Sequence, residues 1–118
     1  MPQAPGKIWL VGAGAGEPGL ITVRGLAVLA RADVVLYDAL AHPALLEHCP
    51  QAEQRNVGKR YGEDSAAQDA IIAQMIELAR QGKRVVRLKG GDPLMFARGA
   101  EEALALVEAG AKFEIVPG

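Results

Sequence analysis

The stretch KIWLVGAGAGEPGLITVRGLAVLARADVVLYD, running from Lys7 to Asp38, decides the fold. Its first six residues, Lys7 to Gly12, form a short apolar run ending in glycine and read as a buried strand. Gly12 to Gly19 is a glycine-rich turn holding Pro18. From Leu20 to Ala32 the residues Leu20, Val23, Ala27 and Ala30, flanked by Leu26 and Leu29, recur at helical spacing. Thr22 is the expected N-cap, and Gly25 is expected to weaken the helix by about 1 kcal/mol relative to Ala. Ala32 to Asp38 is a second apolar strand.

The same alternation continues. His42 to Cys49 reads as a short helix stopped by Pro50, and Gln54 to Val57 as a third strand leading into Gly58-Lys59-Arg60-Tyr61-Gly62. Ser65 to Arg80 is the clearest helix, with Ser65 and Gln68 as a capping box. Its apolar stripe is Ile71, Ile72, Met75, Ile76 and Ala79, and Gly82 ends it. Lys83 to Leu88 is a fourth strand. Arg98 to Ala109 is an amphipathic helix with a stripe of Ala103, Leu104, Leu106 and Val107, stopped by Gly110. Lys112 to Val116 is a fifth strand. Strands alternating with helices imply a three-layer α/β/α domain, an open five-stranded parallel sheet covered on both faces. Such sheets bind ligands at the carboxyl ends of their strands. The loops of interest are therefore Gly12–Gly19, Asp38–His42, Gly58–Gly62 and Gly90–Phe96. The chain stops directly after a strand, where another crossover normally begins, so it is expected to be a truncated piece of a longer protein.

The chain has 118 residues, a length for one domain. Its 13 basic and 14 acidic side chains leave a net charge of −1, which argues against bulk attraction to nucleic acid or an anionic membrane. A single cysteine, Cys49, excludes an internal disulfide framework and a multi-cysteine metal site; the two histidines are too few for a His-rich one. The uncharged run Ile8–Gly16 is far short of a membrane span, and no secretory signal is visible. A cytoplasmic location is expected.

Four segments carry possible chemistry. Gly14, Gly16 and Gly19 match G-x-G-x-x-G after a strand, and Asp38 follows at the end of the next one, the layout of a dinucleotide site. Against this, the glycine nearest the strand is Gly12 and Pro18 stiffens the loop, so an unliganded turn explains the match equally well. Asp38 suits a ribose ligand or a general base, or simply a turn. Lys59 and Arg60 beside Gly58 suit carboxylates, phosphates or proton donation, or form a solvated pair. Arg87-Leu88-Lys89-Gly90-Gly91-Asp92-Pro93 is the segment least explained by a plain turn: two glycines after a strand let a ligand reach the backbone, and Pro93 holds Asp92 extended. Glu101 and Glu102 fit the positive end of a helix dipole. Trp9, His48, Cys49 and Met75 read as structural.

Together these segments resemble the uroporphyrinogen-III C-methyltransferases of the tetrapyrrole methylase family. The matching stretches are VGAGAGEPGLITVRG (Val11–Gly25), ADVVLYDAL (Ala32–Leu40), VGKRYG (Val57–Gly62), GKRVVRLKGGDPLMFARGAEE (Gly82–Glu102) and FEIVPG (Phe113–Gly118). They span nearly the whole chain, and the RLKGGDP block is the most specific. The resemblance implies two dissimilar α/β domains, of which residues 1–118 correspond to the N-terminal one, with sheet order 3-2-4-1-5, the second domain being absent from this chain. It implies methyl transfer from S-adenosylmethionine to carbons 2 and 7 of uroporphyrinogen III, giving precorrin-2 on the way to siroheme or cobalamin. S-adenosylhomocysteine is the co-product, and the enzyme is a homodimer. By position, Asp38 matches the family's proton acceptor and Lys59 its proton donor. Gly90, Gly91 and Asp92 match the cofactor loop, and Met95 a further cofactor contact. Ala15 stands where the family usually has a cofactor-touching proline; Glu17 replaces an Asp, and Ala97 and Ala100 replace glycines.

The implied chemistry needs alignment of donor and acceptor rather than a covalent nucleophile. The methylated ring must lose a proton, a role for a carboxylate such as Asp38. The carboxylate-rich substrate suits Arg24, Lys59, Arg60, Arg87 or Arg98. Two other readings stand beside this one. A nicotinamide-dependent oxidoreductase of the Rossmann type would use Gly14, Gly16, Gly19 and Asp38. A non-catalytic domain would follow if half the cofactor site were missing, and the isolated chain is expected to be inactive on that ground.

Overall fold

The structure is a computed structural model and describes residues 6–12, 21–37, 43–57, 65–89 and 97–116. The strands are β1 (Lys7–Gly12), β2 (Val34–Tyr37), β3 (Glu53–Asn56), β4 (Arg84–Lys89) and β5 (Phe113–Val116). The helices are α1 (Val23–Ala30), α2 (Ser65–Arg80) and α3 (Ala97–Glu108), with a 3₁₀ helix at Pro43–His48. All strand pairs are parallel, in the order β3-β2-β4-β1-β5. The α/β class and the five-stranded parallel sheet are as expected from the sequence.

Alternation along the strands builds two cores. Val11, Val35, Val86, Leu88 and Val116 face one side and pack with Leu29, Leu45 and Cys49. Ile8, Leu10, Val34, Leu36 and Val85 face the other and pack with Ile71, Met75, Leu78 of α2 and Leu106 of α3. The three central strands are largely buried on both faces and, the basic residues of β4 apart, mostly apolar, because helices cover both. β3, at the sheet edge, reads Glu-Gln-Arg-Asn and is mostly exposed, a charged edge that discourages further strand pairing.

Thr22 caps α1, its hydroxyl accepting the Gly25 N–H at 3.0 Å. The expected stripe of α1 is corrected: Val23 is 85 % exposed and Ala27 and Ala30 face solvent, whereas Gly25 and Leu29 are buried. Gly25 hides this phase from a hydrophobic pattern. A Cβ there would sit 2.9 Å from Ile21 Cγ1, so the missing side chain leaves room for Ile21 to fold back against the helix's own first turn. The stripe of α2 holds, with Leu78 added. The side chains of Ser65 and Gln68 lie outside the described part. The stripe of α3 is also corrected: Leu104 and Val107 are each 62 % exposed, while Glu102 and Leu106, one turn apart, are buried. Gly82 and Gly110 end α2 and α3 in the left-handed region, at φ 84° and 69°. Among the described residues no helix is long and apolar enough to cross a membrane.

Candidate functional site

The crossovers locate the site. Through α1 and the 3₁₀ helix the chain moves from β1 to β2 to β3 on one face; through α2 and α3 it returns to β4 and β5 on the other. Parallel crossovers are right-handed, so a reversal of direction forces a change of face. β1 and β4 are neighbours, in register from Lys7↔Arg84 to Gly12↔Lys89. Beyond Gly12 the chain departs toward α1, and beyond Lys89 toward α3, on opposite faces. The connections after β2, β4 and β1, three neighbouring strands, leave on alternate faces, so their carboxyl ends are where an open α/β sheet of this order binds a ligand.

The expected site residues Ala15, Asp38, Lys59, Gly90, Gly91, Asp92 and Met95 all lie outside the described residues. The described strand ends that precede them are Gly12 in β1, Tyr37 in β2, Asn56 in β3 and Lys89 in β4. Three of these four strands, β2, β4 and β1, are consecutive in the sheet. In sequence, segments 13–20, 38–42 and 90–96 thus follow adjacent strands, while segment 58–64 follows the edge strand.

The strand order bears on the dinucleotide reading. In a Rossmann sheet β1 lies directly beside β2, and the acidic residue ending β2 reaches the ribose of a cofactor cradled after β1. Here β4 is inserted between β1 and β2. At about 4.8 Å per strand, the end of β2 stands about 10 Å from the end of β1 instead of about 5 Å. The G-x-G-x-x-G match and Asp38 therefore lack the neighbouring strands that give the motif its meaning.

The least expected feature is a buried charge cluster at the carboxyl end of β4. Arg87 and Lys89 lie two residues apart on β4, so both point to the α2/α3 face, as Val85 does. Glu102 of α3 meets them there, with Arg87 Nε 3.3 Å from Glu102 Oε1 and Lys89 Nζ 3.6 Å from Glu102 Oε2. Exposure is 4 % for Arg87, 9 % for Lys89 and zero for Glu102. The dipole reading of Glu102 is thus corrected: it is an internal ion-pair partner. The sequence held a signal for this. Two cations two apart in an otherwise apolar central strand must both be buried, and buried cations need a carboxylate.

Two of the five basic residues expected to meet substrate carboxylates are engaged within the protein. Arg87 is held by Glu102, and Arg24, in the first turn of α1, pairs with Glu114 of β5. Lys59 and Arg60 and the side chain of Arg98 lie outside the described part. A groove of about 500 Å³ is lined by Lys7, Trp9, Arg24, Arg31, Arg84 and Glu114 among others. It includes the first residues of β1 and β4, so it reaches the amino edge of the sheet, away from the carboxyl strand ends. Its cations are largely spoken for, Lys7 and Arg24 by Glu114 and Arg84 by Asp33. Cys49 is buried, and burial pushes its thiol pKa up, which suits a core residue and not a nucleophile.

Residues 7–118 match the family model of the Tetrapyrrole (Corrin/Porphyrin) Methylases. The chain is 53 % identical over 118 residues to a siroheme synthase of Pseudomonas fluorescens, covering 99 % of this chain and 25 % of that protein. It is 52 % identical to siroheme synthase 1 of Halorhodospira halophila, covering 99 % and 24 %. Among solved structures, a uroporphyrin-III-C-methyltransferase from Thermus thermophilus superposes with a TM-score of 0.84 at 50 % identity, covering 96 % of this chain and 47 % of that one. A Thermus thermophilus uroporphyrin-III C-methyltransferase complexed with S-adenosylhomocysteine superposes with a TM-score of 0.77 at 41 % identity, over 96 % and 45 %. The chain therefore spans about a quarter of these siroheme synthases (25 %) and about half of the solved methyltransferase (47 %).

Proposed function

The chain belongs to the tetrapyrrole methylase family, and from that premise we propose that it is the N-terminal α/β domain of an S-adenosylmethionine-dependent methyltransferase acting on uroporphyrinogen III. The products are precorrin-2, methylated at carbons 2 and 7, and S-adenosylhomocysteine. The observation that carries the reading is the strand order, in which the connections after β2, β4 and β1 leave on alternate faces of the sheet. Segments 13–20 and 90–96 follow two of these neighbouring strands, and the carboxyl ends of strands so connected accept a nucleoside. The choice of nucleoside is supported by a structural neighbour that is complexed with S-adenosylhomocysteine.

On this reading Ala15, Gly90, Gly91, Asp92 and Met95 hold the cofactor. The paired glycines leave the backbone open to close approach by a ligand. The cofactor supplies an electrophilic methyl group. Asp38, following β2, takes the proton released from the methylated ring, and Lys59 donates one. Lys59, Arg60 or Arg98 answer the substrate's carboxylates. The remaining part of the cofactor and substrate site belongs to a second domain, so the 118-residue chain by itself is inactive. The full-length protein works as a homodimer in the pathway to siroheme.

Equilibrium binding tests the cofactor half of this reading. The full-length product of the gene is expected to bind S-adenosylhomocysteine and to ignore NADH; binding of NADH in its place would contradict it.

A further inference from the structure

We propose that Glu102 is a positioning residue for the cofactor segment, fixing α3 against the end of β4 and so setting the span between the two ends of residues 90–96. This rests on the reading that Gly90, Gly91 and Asp92 hold the cofactor. Lys89 is the last residue of β4 and Ala97 the first of α3, so segment 90–96 joins these two elements. The Glu102 carboxylate spans both cations of β4, one oxygen 3.3 Å from Arg87 Nε and the other 3.6 Å from Lys89 Nζ. Because it is shut off from water, solvent does not compete for either oxygen.

The geometry this imposes is directional. Among the described residues of α3, Leu106 is the other buried side chain, and an apolar contact alone permits the helix to slide and rotate. A carboxylate bridging two cations on one strand face fixes both the height and the rotation of the helix. Stability alone does not call for such a cluster, since an apolar set of similar volume serves as well or better in a protein interior. Its place at the strand end that leads into segment 90–96 points to geometry as its use.

The test uses the full-length protein and titrates S-adenosylhomocysteine by calorimetry, with the thermal midpoint measured alongside. Glu102→Gln is expected to weaken binding by about tenfold or more, as displaced second-layer support does elsewhere, and to raise KM for S-adenosylmethionine more than it lowers kcat. Lys89→Met is expected to do the same and Lys89→Arg to restore it. Asp33→Ala, which breaks a contact at the opposite end of β4, is expected to lower the thermal midpoint while leaving S-adenosylhomocysteine affinity within about twofold. Wild-type affinity in a folded Glu102→Gln protein would overturn the proposal and leave the cofactor reading standing. Should that variant not fold, Lys89→Met decides in the same way. Failure of the wild-type protein to bind would overturn the cofactor reading itself, and this inference with it.

Discussion

Asp33 and Arg84 clasp the amino ends of β2 and β4. The Asp33 carboxylate accepts the Arg84 backbone N–H at 2.7 Å, and the Asp33 N–H donates to the Arg84 carbonyl at 2.9 Å. The bond from the Arg84 N–H, with the guanidinium nearby, holds the Asp33 carboxyl below its ordinary pKa of 3.8. A depressed carboxylate stabilises the fold above its unfolded pKa, and the benefit is lost as pH falls through the folded value. Asp33→Ala is expected to cost about 1 kcal/mol at neutral pH, a value reduced by the partial exposure of the pair. Urea unfolding at several pH values checks this. The gap between wild type and variant should be constant above about pH 5 and narrow below about pH 4; a gap independent of pH would show that the charge contributes nothing.

Gly25 sits in α1, where alanine is ordinarily better by about 1 kcal/mol. Space decides against alanine here, because the new Cβ would lie 2.9 Å from Ile21 Cγ1 and 3.3 Å from Thr22 Oγ1. Gly25→Ala is therefore expected to lower the melting temperature despite its helix propensity. A rise would show that Ile21 yields easily and that packing does not require the glycine.

The phase of α3 separates two leucines two residues apart. Leu106 is fully buried and Leu104 is 62 % exposed. Leu106→Ala is expected to cost about 2–5 kcal/mol, and Leu104→Ala no more than about 0.5 kcal/mol. Denaturant unfolding of the two variants checks it; equal losses would rotate the helix from the position described.

The sequence is most readable where one pattern acts alone. β1 and α2 fall at their expected bounds, Lys7–Gly12 and Ser65–Arg80, because an uninterrupted apolar run and a long 3.6-residue stripe each have a single solution. It is least readable where the buried face contains something other than a large apolar residue. In α1 that residue is Gly25, and in α3 it is Glu102, so the apolar pattern alone puts both stripes in the wrong phase. Alternation places Arg87 and Lys89 on one face of β4, yet nothing local names the carboxylate 15 residues beyond Arg87 that meets them. The strand order, which moves β2 away from β1, follows from the family resemblance and not from the pattern of elements. The catalytic and cofactor assignments rest on motif position, since Asp38, Lys59 and the Gly90–Met95 segment lie outside the described residues.

Two substitutions separate binding from chemistry in the proposed site. Asp38→Asn in the full-length protein is expected to keep S-adenosylhomocysteine affinity while slowing turnover by about 10²-fold or more, the usual contribution of a positioned base. Gly91→Val is expected to do the reverse, weakening cofactor binding through a side chain where the ligand approaches the backbone. Calorimetry and steady-state rates on the same preparations check both. Unchanged turnover in the first would remove Asp38 from the reaction, and unchanged affinity in the second would remove the loop from the cofactor site.

The most direct measurement is transfer of a labelled methyl group from S-adenosylmethionine to uroporphyrinogen III, running the 118-residue chain beside the full-length product of the same gene. Label is expected in a dimethylated tetrapyrrole with the full-length protein and none with the chain alone. Binding of S-adenosylhomocysteine without any transfer of label to uroporphyrinogen III by the full-length protein would contradict the substrate assignment.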